Sequence, residues 1–190
     1  MKRIERILWI IALAGLVLRL LNLPMSGVLL ILSMTLLGMF YLFLSVLAFP
    51  QPTRKDQVVI VSLLVGLVLG VALNGILFKI QLWPFSHFFL MVGGFWLAVL
   101  TLVVAYVRRK KPELDAYTRG LLKRMVPIMS ASILFWLLPD TALVNLYYRD
   151  DPQLASLMER YMNTEDPAMR EQLRTEMDAL EEARFRGQQE

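Results

Sequence analysis

Three apolar runs constrain this chain more than any other feature of its sequence. They cover residues 27–49, 58–78 and 85–107, and His87 is the only ionisable residue in any of them. A bilayer core about 30 Å thick is crossed by about 20 apolar residues in a helix, because lipid offers no partner for an unpaired backbone group. Each run therefore predicts a membrane-spanning helix, and the three together predict an integral membrane protein.

Two weaker segments bring the predicted number of membrane helices to about five. Residues 7–23 are apolar apart from Arg19, and residues 125–146 are interrupted by Pro139 and Asp140. We expect both to cross the membrane. An alternative for the second is a segment that lies in the membrane interface without crossing.

The positions of lysine and arginine predict how the chain is oriented. Basic residues precede the first helix and follow the second and fourth, whereas the connections at 24–26 and 83–86 contain none. Since basic loops stay in the cytoplasm, we expect a multi-pass protein of the bacterial inner membrane with a cytoplasmic N-terminus. The C-terminus is then periplasmic if the fifth segment crosses, and cytoplasmic if it does not.

The first two helices are repeated 60 residues later without a gap. Scarce residue types align between the copies, and these pairs are Gly15 with Gly75, Arg19 with Lys79, Pro24 with Pro84, and Ser26 with Ser86. Glycine, proline and charged residues are rare in membrane segments, so their alignment carries more weight than matching leucines. The pattern predicts two tandem copies of one helical hairpin.

The sequence thus predicts an all-α fold with two membrane hairpins, a further membrane helix and a short helical tail. The expected divisions are residues 1–50 (first hairpin), 51–56 (cytoplasmic loop), 57–107 (second hairpin), 108–124 (basic cytoplasmic loop), 125–148 (fifth membrane helix) and 149–190 (acidic tail). The tail carries 6 basic and 11 acidic residues. Pro152, after Asp151, and Pro167 are each placed to open a short amphipathic helix there.

The segment from Gly75 to Pro84, Gly-Ile-Leu-Phe-Lys-Ile-Gln-Leu-Trp-Pro, resembles the first membrane hairpin of the gliding-motility and type IX secretion motor family GldL. That family has a Gly-x-Leu-Phe-Lys element followed closely by an aromatic or Trp-Pro turn. The segment from Gly15 to Pro24 is a degenerate copy with Arg19 in place of the lysine. The resemblance covers about 35 residues twice, less than half of the chain.

The resemblance implies a ring of subunits that converts ion flow into motion, with a helix-one lysine and a helix-two glutamate in the machinery. Lys79 matches the lysine position, and Arg19 matches it in the other copy. Neither 27–49 nor 85–107 contains an acidic residue, so the family glutamate is absent. We therefore expect a related hairpin that is reused as a scaffold rather than a motor.

Three charged residues within or near the membrane are the candidate functional groups. Arg19 and Lys79 each precede a hairpin proline by five residues, so their side chains can extend to the outer interface. Asp140 is the only acid inside a predicted apolar segment, and the expected topology places it near the same face. We expect Asp140 to pair with one of the two cations, more readily Lys79.

Other membrane residues are expected to pack or to anchor. Gly66, Gly70 and Gly75 form a small-residue face on the third helix, for packing within this chain or, alternatively, between copies in a homo-oligomer. Two further residues near the second hairpin turn, Trp83 and Pro84, are expected at the membrane interface together with His87.

The sequence offers little for catalysis. It has no cysteine and one histidine, which excludes disulfides and thiolate chemistry, and it contains no catalytic, phosphate-binding or dinucleotide-binding motif. We expect no enzyme, no cofactor, no metal and no nucleic-acid partner. The favoured function is a scaffold subunit of an envelope complex, associated with motility or secretion, whose partners are the bilayer and other membrane or periplasmic proteins. The alternative is a small transporter or ion-conducting component with Lys79, Arg19 and Asp140 on its path.

Overall fold

The computed structural model describes residues 2–21, 23, 25–48, 56–149 and 151–187, and within these ranges it contains helices and no strand. The helices are α1 (Lys2–Leu20), α2 (Ser26–Ala48), α3 (Asp56–Ile80), α4 (Ser86–Lys110), α5 (Asp115–Leu137), α6 (Asp140–Tyr147), α7 (Pro152–Asn163) and α8 (Pro167–Gly187). They form two compact units, Met1–Leu138 and Pro139–Glu190. Residues 51–55 of the predicted first cytoplasmic loop lie outside the described residues.

Four of the described helices are long and apolar enough to cross a membrane. These spans are Ser26–Phe43, Val59–Ile80, Ser86–Lys110 and Pro112–Leu137. The predicted class, an all-α membrane protein with a short helical tail, is therefore confirmed. The helix α1 is not among the four, because five of its 19 residues are charged.

In the first unit, α3 has the most neighbours. It packs against α2, α4 and α5, whereas α1 packs against α2, and α5 also packs against α4. The buried positions are mostly leucines at helical spacing, namely Leu30, Leu37, Leu69, Leu73, Leu90, Leu97 and Leu121. The opposite faces of the same helices carry exposed apolar side chains, which is the arrangement expected of helices that face lipid.

The two hairpins have the same helix boundaries at a shift of 60 residues. The first helix ends at Leu20 in one hairpin and at Ile80 in the other, and the second helix begins at Ser26 and at Ser86. In both turns the residue before the second helix has a left-handed backbone, with φ 62° at Met25 and 64° at Phe85. The repeated sequence therefore encodes a repeated turn.

The turn hydrogen bonds also repeat. The amide of Leu23 donates to the carbonyl of Leu18 at 3.1 Å, and the amide of Trp83 donates to that of Phe78 at 2.8 Å. These pairs are again related by 60 residues. Pro24, one of the aligned prolines, lies outside the described residues.

The structure corrects the bounds predicted for the second basic loop, residues 108–124. α4 continues to Lys110, a 3₁₀ turn covers Pro112–Leu114, and α5 begins at Asp115. The first turns of α5 are helical despite their charges, because Tyr117 and Leu121 are buried at helical spacing while charged residues occupy the other face.

The fifth membrane helix, predicted over 125–148, is likewise corrected. α5 ends at Leu137, and α6 begins at Asp140. Pro139 lacks the amide proton that a continuing helix needs and disfavours a helical conformation at the residue before it. Leu138 accordingly has an extended backbone, with φ −72° and ψ 121°.

The second unit is a set of three helices in which α7 packs against α6 and α8. As the sequence predicts, Asp151 caps α7, and its carboxylate accepts a hydrogen bond from the amide of Leu154 at 3.1 Å. Leu154 and Leu157 of α7 and Leu173 of α8 are buried. Asp150, the other predicted capping residue, lies outside the described residues.

Candidate functional site

The most polar buried contact in the first unit joins Glu5 of α1 to Arg124 of α5. The guanidinium Nη2 lies 2.6 Å from Glu5 Oε2, and Nε also donates to Oε1. The two side chains are only 15% and 11% exposed for Arg124 and Glu5, respectively. This is a bidentate ion pair between residues 119 positions apart, so it ties the first helix to the last helix of the unit.

Two aromatic residues complete the site around this ion pair. The hydroxyl of Tyr41 in α2 donates to Glu5 Oε1 at 2.8 Å, and the indole Nε1 of Trp9 donates to that hydroxyl at 3.1 Å. Arg124 also donates through Nη1 to the carbonyl of Gly120 at 3.0 Å. We call Glu5, Trp9, Tyr41 and Arg124 the Glu5 cluster.

The chemistry of the Glu5 cluster is that of a closed hydrogen-bond network. The carboxylate accepts from the guanidinium and from the phenol, so the negative charge is balanced by a cation and stabilised by a neutral donor. In the part of the chain that the structure describes, no group of three or more His, Asp or Glu side chains is placed to hold a metal ion. The arrangement holds α1, α2 and α5 together.

A second buried contact joins α3 to α5. The hydroxyl oxygens of Ser62 and Tyr117 lie 2.8 Å apart, and both residues are buried. Asn74 of α3 instead donates to the carbonyl of Gly70 in its own helix at 2.9 Å. The polar side chains inside the first unit thus bond to helix partners or to their own backbone.

Lys79, one of the three predicted charged candidates, lies in the last turn of α3 with 0% of its surface exposed. Its Nζ is 3.2 Å from Nε2 of His87, at the start of α4. The imidazole of His87 is exposed. The structure therefore brings together two residues that the sequence analysis treated separately.

Arg19 and Asp140, the other two charged candidates, lie at helix ends. Arg19 is half-buried in the last turn of α1, and Asp140 is the first residue of α6 in the second unit. The pairing of Asp140 with Lys79 or Arg19 stays a prediction.

The predicted interfacial residues lie in the second hairpin turn. Trp83 and Pro84 are exposed, and the Trp83 ring packs edge-on against Phe78 with centroids 5.2 Å apart. Beside them, Gln81 donates to the carbonyl of Gly27 at 3.0 Å. This bond connects the turn of the second hairpin to the start of α2 in the first.

The glycines lie where helices approach closely. A methyl group on Gly75 would lie 2.9 Å from the backbone of Leu90, and its counterpart on Gly15 would lie 3.2 Å from the backbone of Leu30. The same residue pair thus forms the contact in each hairpin. On the other side of α3, Gly70 faces the Gly38 carbonyl, and a methyl group there would lie 3.3 Å from its oxygen; the third predicted glycine, Gly66, is buried.

The sequence analysis missed the Glu5 cluster, although a local signal existed. Glu5 precedes the buried residues Ala12 and Gly15 by seven and ten positions, which places it on the packed face of α1. Arg124 likewise follows Tyr117 and Leu121 by seven and three positions on the packed face of α5. In both helices the charge lies on the apolar stripe, where it needs a partner.

The fold and this cluster define an all-α integral membrane protein whose helices are joined by buried polar contacts. In comparisons with protein-family models, curated proteins and solved structures, the chain matches none of them.

Proposed function

We propose that this chain is a non-catalytic scaffold subunit of a multiprotein membrane complex, in which the helical membrane body anchors an acidic docking unit. One observation carries the proposal. The charged and polar groups of the Glu5 cluster bond to one another across three helices, and Ser62 bonds to Tyr117 across two more. A body that uses its buried polar groups in this way suits a rigid anchor.

The composition of the second unit supports a docking role. From residue 149 onward the chain has a net charge of −5, while the part before it has a net charge of +9. On α8, Glu171 and Glu176 border an open depression that Ala168 and Ala179 also line. Small residues flanked by carboxylates suit contact with a positively charged partner surface.

The expected setting is the bacterial inner membrane, with an envelope complex associated with motility or secretion. The resemblance of residues 75–84 and 15–24 to the GldL hairpin favours that setting, and the missing glutamate favours a scaffold over a motor.

A second candidate function is a small transporter or ion-conducting component. Lys79 favours it, because an ammonium group with no exposed surface in a membrane-spanning helix is a default candidate for a transport pathway. In that case Lys79, Arg19 and Asp140 would lie on the path, and the chain would work alone in liposomes.

Native mass spectrometry of the chain, extracted from its own membranes in a mild detergent, tests the proposal. The scaffold predicts a discrete assembly with another protein at fixed stoichiometry, well above the 21.9 kDa of the chain. The double variant Glu171→Lys/Glu176→Lys should lower the partner occupancy. The matched control is Glu113→Lys, which reverses an exposed acid in the first unit and should leave the occupancy unchanged.

A 21.9 kDa species alone, under conditions in which other membrane complexes remain intact, would contradict the scaffold. Ion or solute flux in liposomes that contain only this chain, and loss of that flux in Lys79→Met, would favour the transporter instead. A ring of identical subunits would support the motor-like resemblance.

A further inference from the structure

The segment that joins α4 to α5 concentrates positive charge, and the structure divides its cations into two groups. Between residues 108 and 124 there are seven basic and two acidic side chains. Three of the basic side chains form ion pairs inside the protein. Arg108 and Arg119 bond to the two oxygens of Asp115, at 2.8 and 2.5 Å, and Arg124 bonds to Glu5.

The other four cations, Arg109, Lys110, Lys111 and Lys123, are exposed and form no ion pair with any residue in the described ranges. We call these four residues the basic edge. Asp115 already binds two arginines, so the remaining acid of the segment, Glu113, is outnumbered four to one. The basic edge therefore carries a net positive charge that the rest of this segment does not neutralise.

The location of the basic edge indicates what binds it. Arg109 and Lys110 end one membrane-spanning helix, and Lys123 lies inside the next. Only the four residues from Lys111 to Leu114 separate α4 from α5, so little protein protrudes there to meet a soluble partner. The exposed Tyr106, one turn before the end of α4, is the kind of aromatic residue that lies at the headgroup level of a bilayer.

We propose that the basic edge binds the phosphate headgroups of anionic lipids and thereby enriches them around α4 and α5. Lysine and arginine side chains at a membrane end extend towards the headgroups while their methylene stems remain in apolar surroundings. Near an anionic surface each such charge strengthens association by roughly fivefold at physiological salt. The proposal concerns lipid, and it does not depend on whether the acidic unit binds a partner.

Spin-labelled lipids in vesicles that contain the full chain test the proposal. The spectra give the association constant of spin-labelled phosphatidylglycerol relative to that of phosphatidylcholine. We expect a several-fold preference for phosphatidylglycerol in the wild type. It should decrease by about fivefold, or to parity, in Lys110→Gln/Lys111→Gln. In 1 M salt, where the Debye length is about 3 Å, the wild-type preference should also shrink.

The matched control is Arg160→Gln/Arg174→Gln, which removes two exposed cations from α7 and α8 and should keep the preference. A second pair, Arg109→Gln/Lys123→Gln, tests the same surface if the first variant does not fold. No lipid preference in the wild type, or an equal preference in the basic-edge variants and the control, would overturn the proposal. Binding of an acidic soluble protein without a lipid preference would overturn it as well.

Discussion

Neutralising Glu5 is the sharpest test of how the membrane body is held together. In Glu5→Gln the side chain keeps its size, but Arg124 loses its counter-ion in a site where it is only 15% exposed. Removing one partner of a buried ion pair costs about 3–5 kcal/mol, because the remaining charge stays desolvated. For a chain of this length that cost corresponds to a decrease in Tm of about 6–20 °C.

A double-mutant cycle separates the ion pair from general damage. The cycle compares Glu5→Gln, Arg124→Gln and the double variant by thermal unfolding in one detergent at fixed protein concentration. With both charges removed, nothing charged remains buried at this position, so the double variant should be more stable than either single variant. The coupling energy should exceed about 2 kcal/mol.

The protein contains its own control for this cycle. Asp115 also binds an arginine through each oxygen, but its side chain is 37% exposed, and exposed pairs contribute about 0–1 kcal/mol. Asp115→Asn should therefore lower the free energy of unfolding by less than about 1 kcal/mol. Equal costs for Glu5→Gln and Asp115→Asn, or additive single variants in the cycle, would refute the reasoning.

Three further substitutions test the packing by thermal unfolding. Gly75→Ala should destabilise by about 1–3 kcal/mol, because its methyl group would meet α4 backbone at 2.9 Å, whereas Gly94→Ala, with its nearest atom at 3.6 Å, should not; equal effects would contradict this. Tyr117→Phe should cost about 1–3 kcal/mol, because the buried hydroxyl of Ser62 loses its bond, and an unchanged Tm would argue against that bond. Met25→Gly should stabilise by about 1 kcal/mol by relieving a φ of 62°, unless the turn relaxes.

Much of the fold could be predicted because it depends on local properties of the sequence. Uncharged runs of 21 to 23 residues have one stable conformation in lipid, so α2, α3 and α4 were predictable. The 60-residue repeat was visible because the turn between the paired helices needs the same residue types twice. Bounds failed where charge and helix coincide, since the first turns of α5 carry their charges on one face.

The Glu5 cluster could not be predicted from the sequence in the same way. The periodicity of α1 shows that Glu5 lies on the packed face, but it does not show which helix supplies the cation. The partner is 119 residues away, and several other arginines were available. The pair of Lys79 with His87 is different, because the two residues are eight positions apart across one tight turn.

The Glu5 cluster also distinguishes two hairpins that are otherwise built alike. The repeat equivalents of Glu5, Trp9 and Tyr41 are Val65, Leu69 and Thr101, which cannot form the same network. At the turn end, by contrast, the two copies share the φ angles at Met25 and Phe85 and the glycine-to-leucine contact. Because apolar helix faces fit more than one neighbour, a single buried charge pair is an effective way to select one arrangement. Only the first hairpin offers Arg124 a carboxylate, so a packing that exchanged the hairpins would leave the guanidinium buried beside apolar residues and would be disfavoured by the same 3–5 kcal/mol, roughly, that Glu5→Gln is expected to cost.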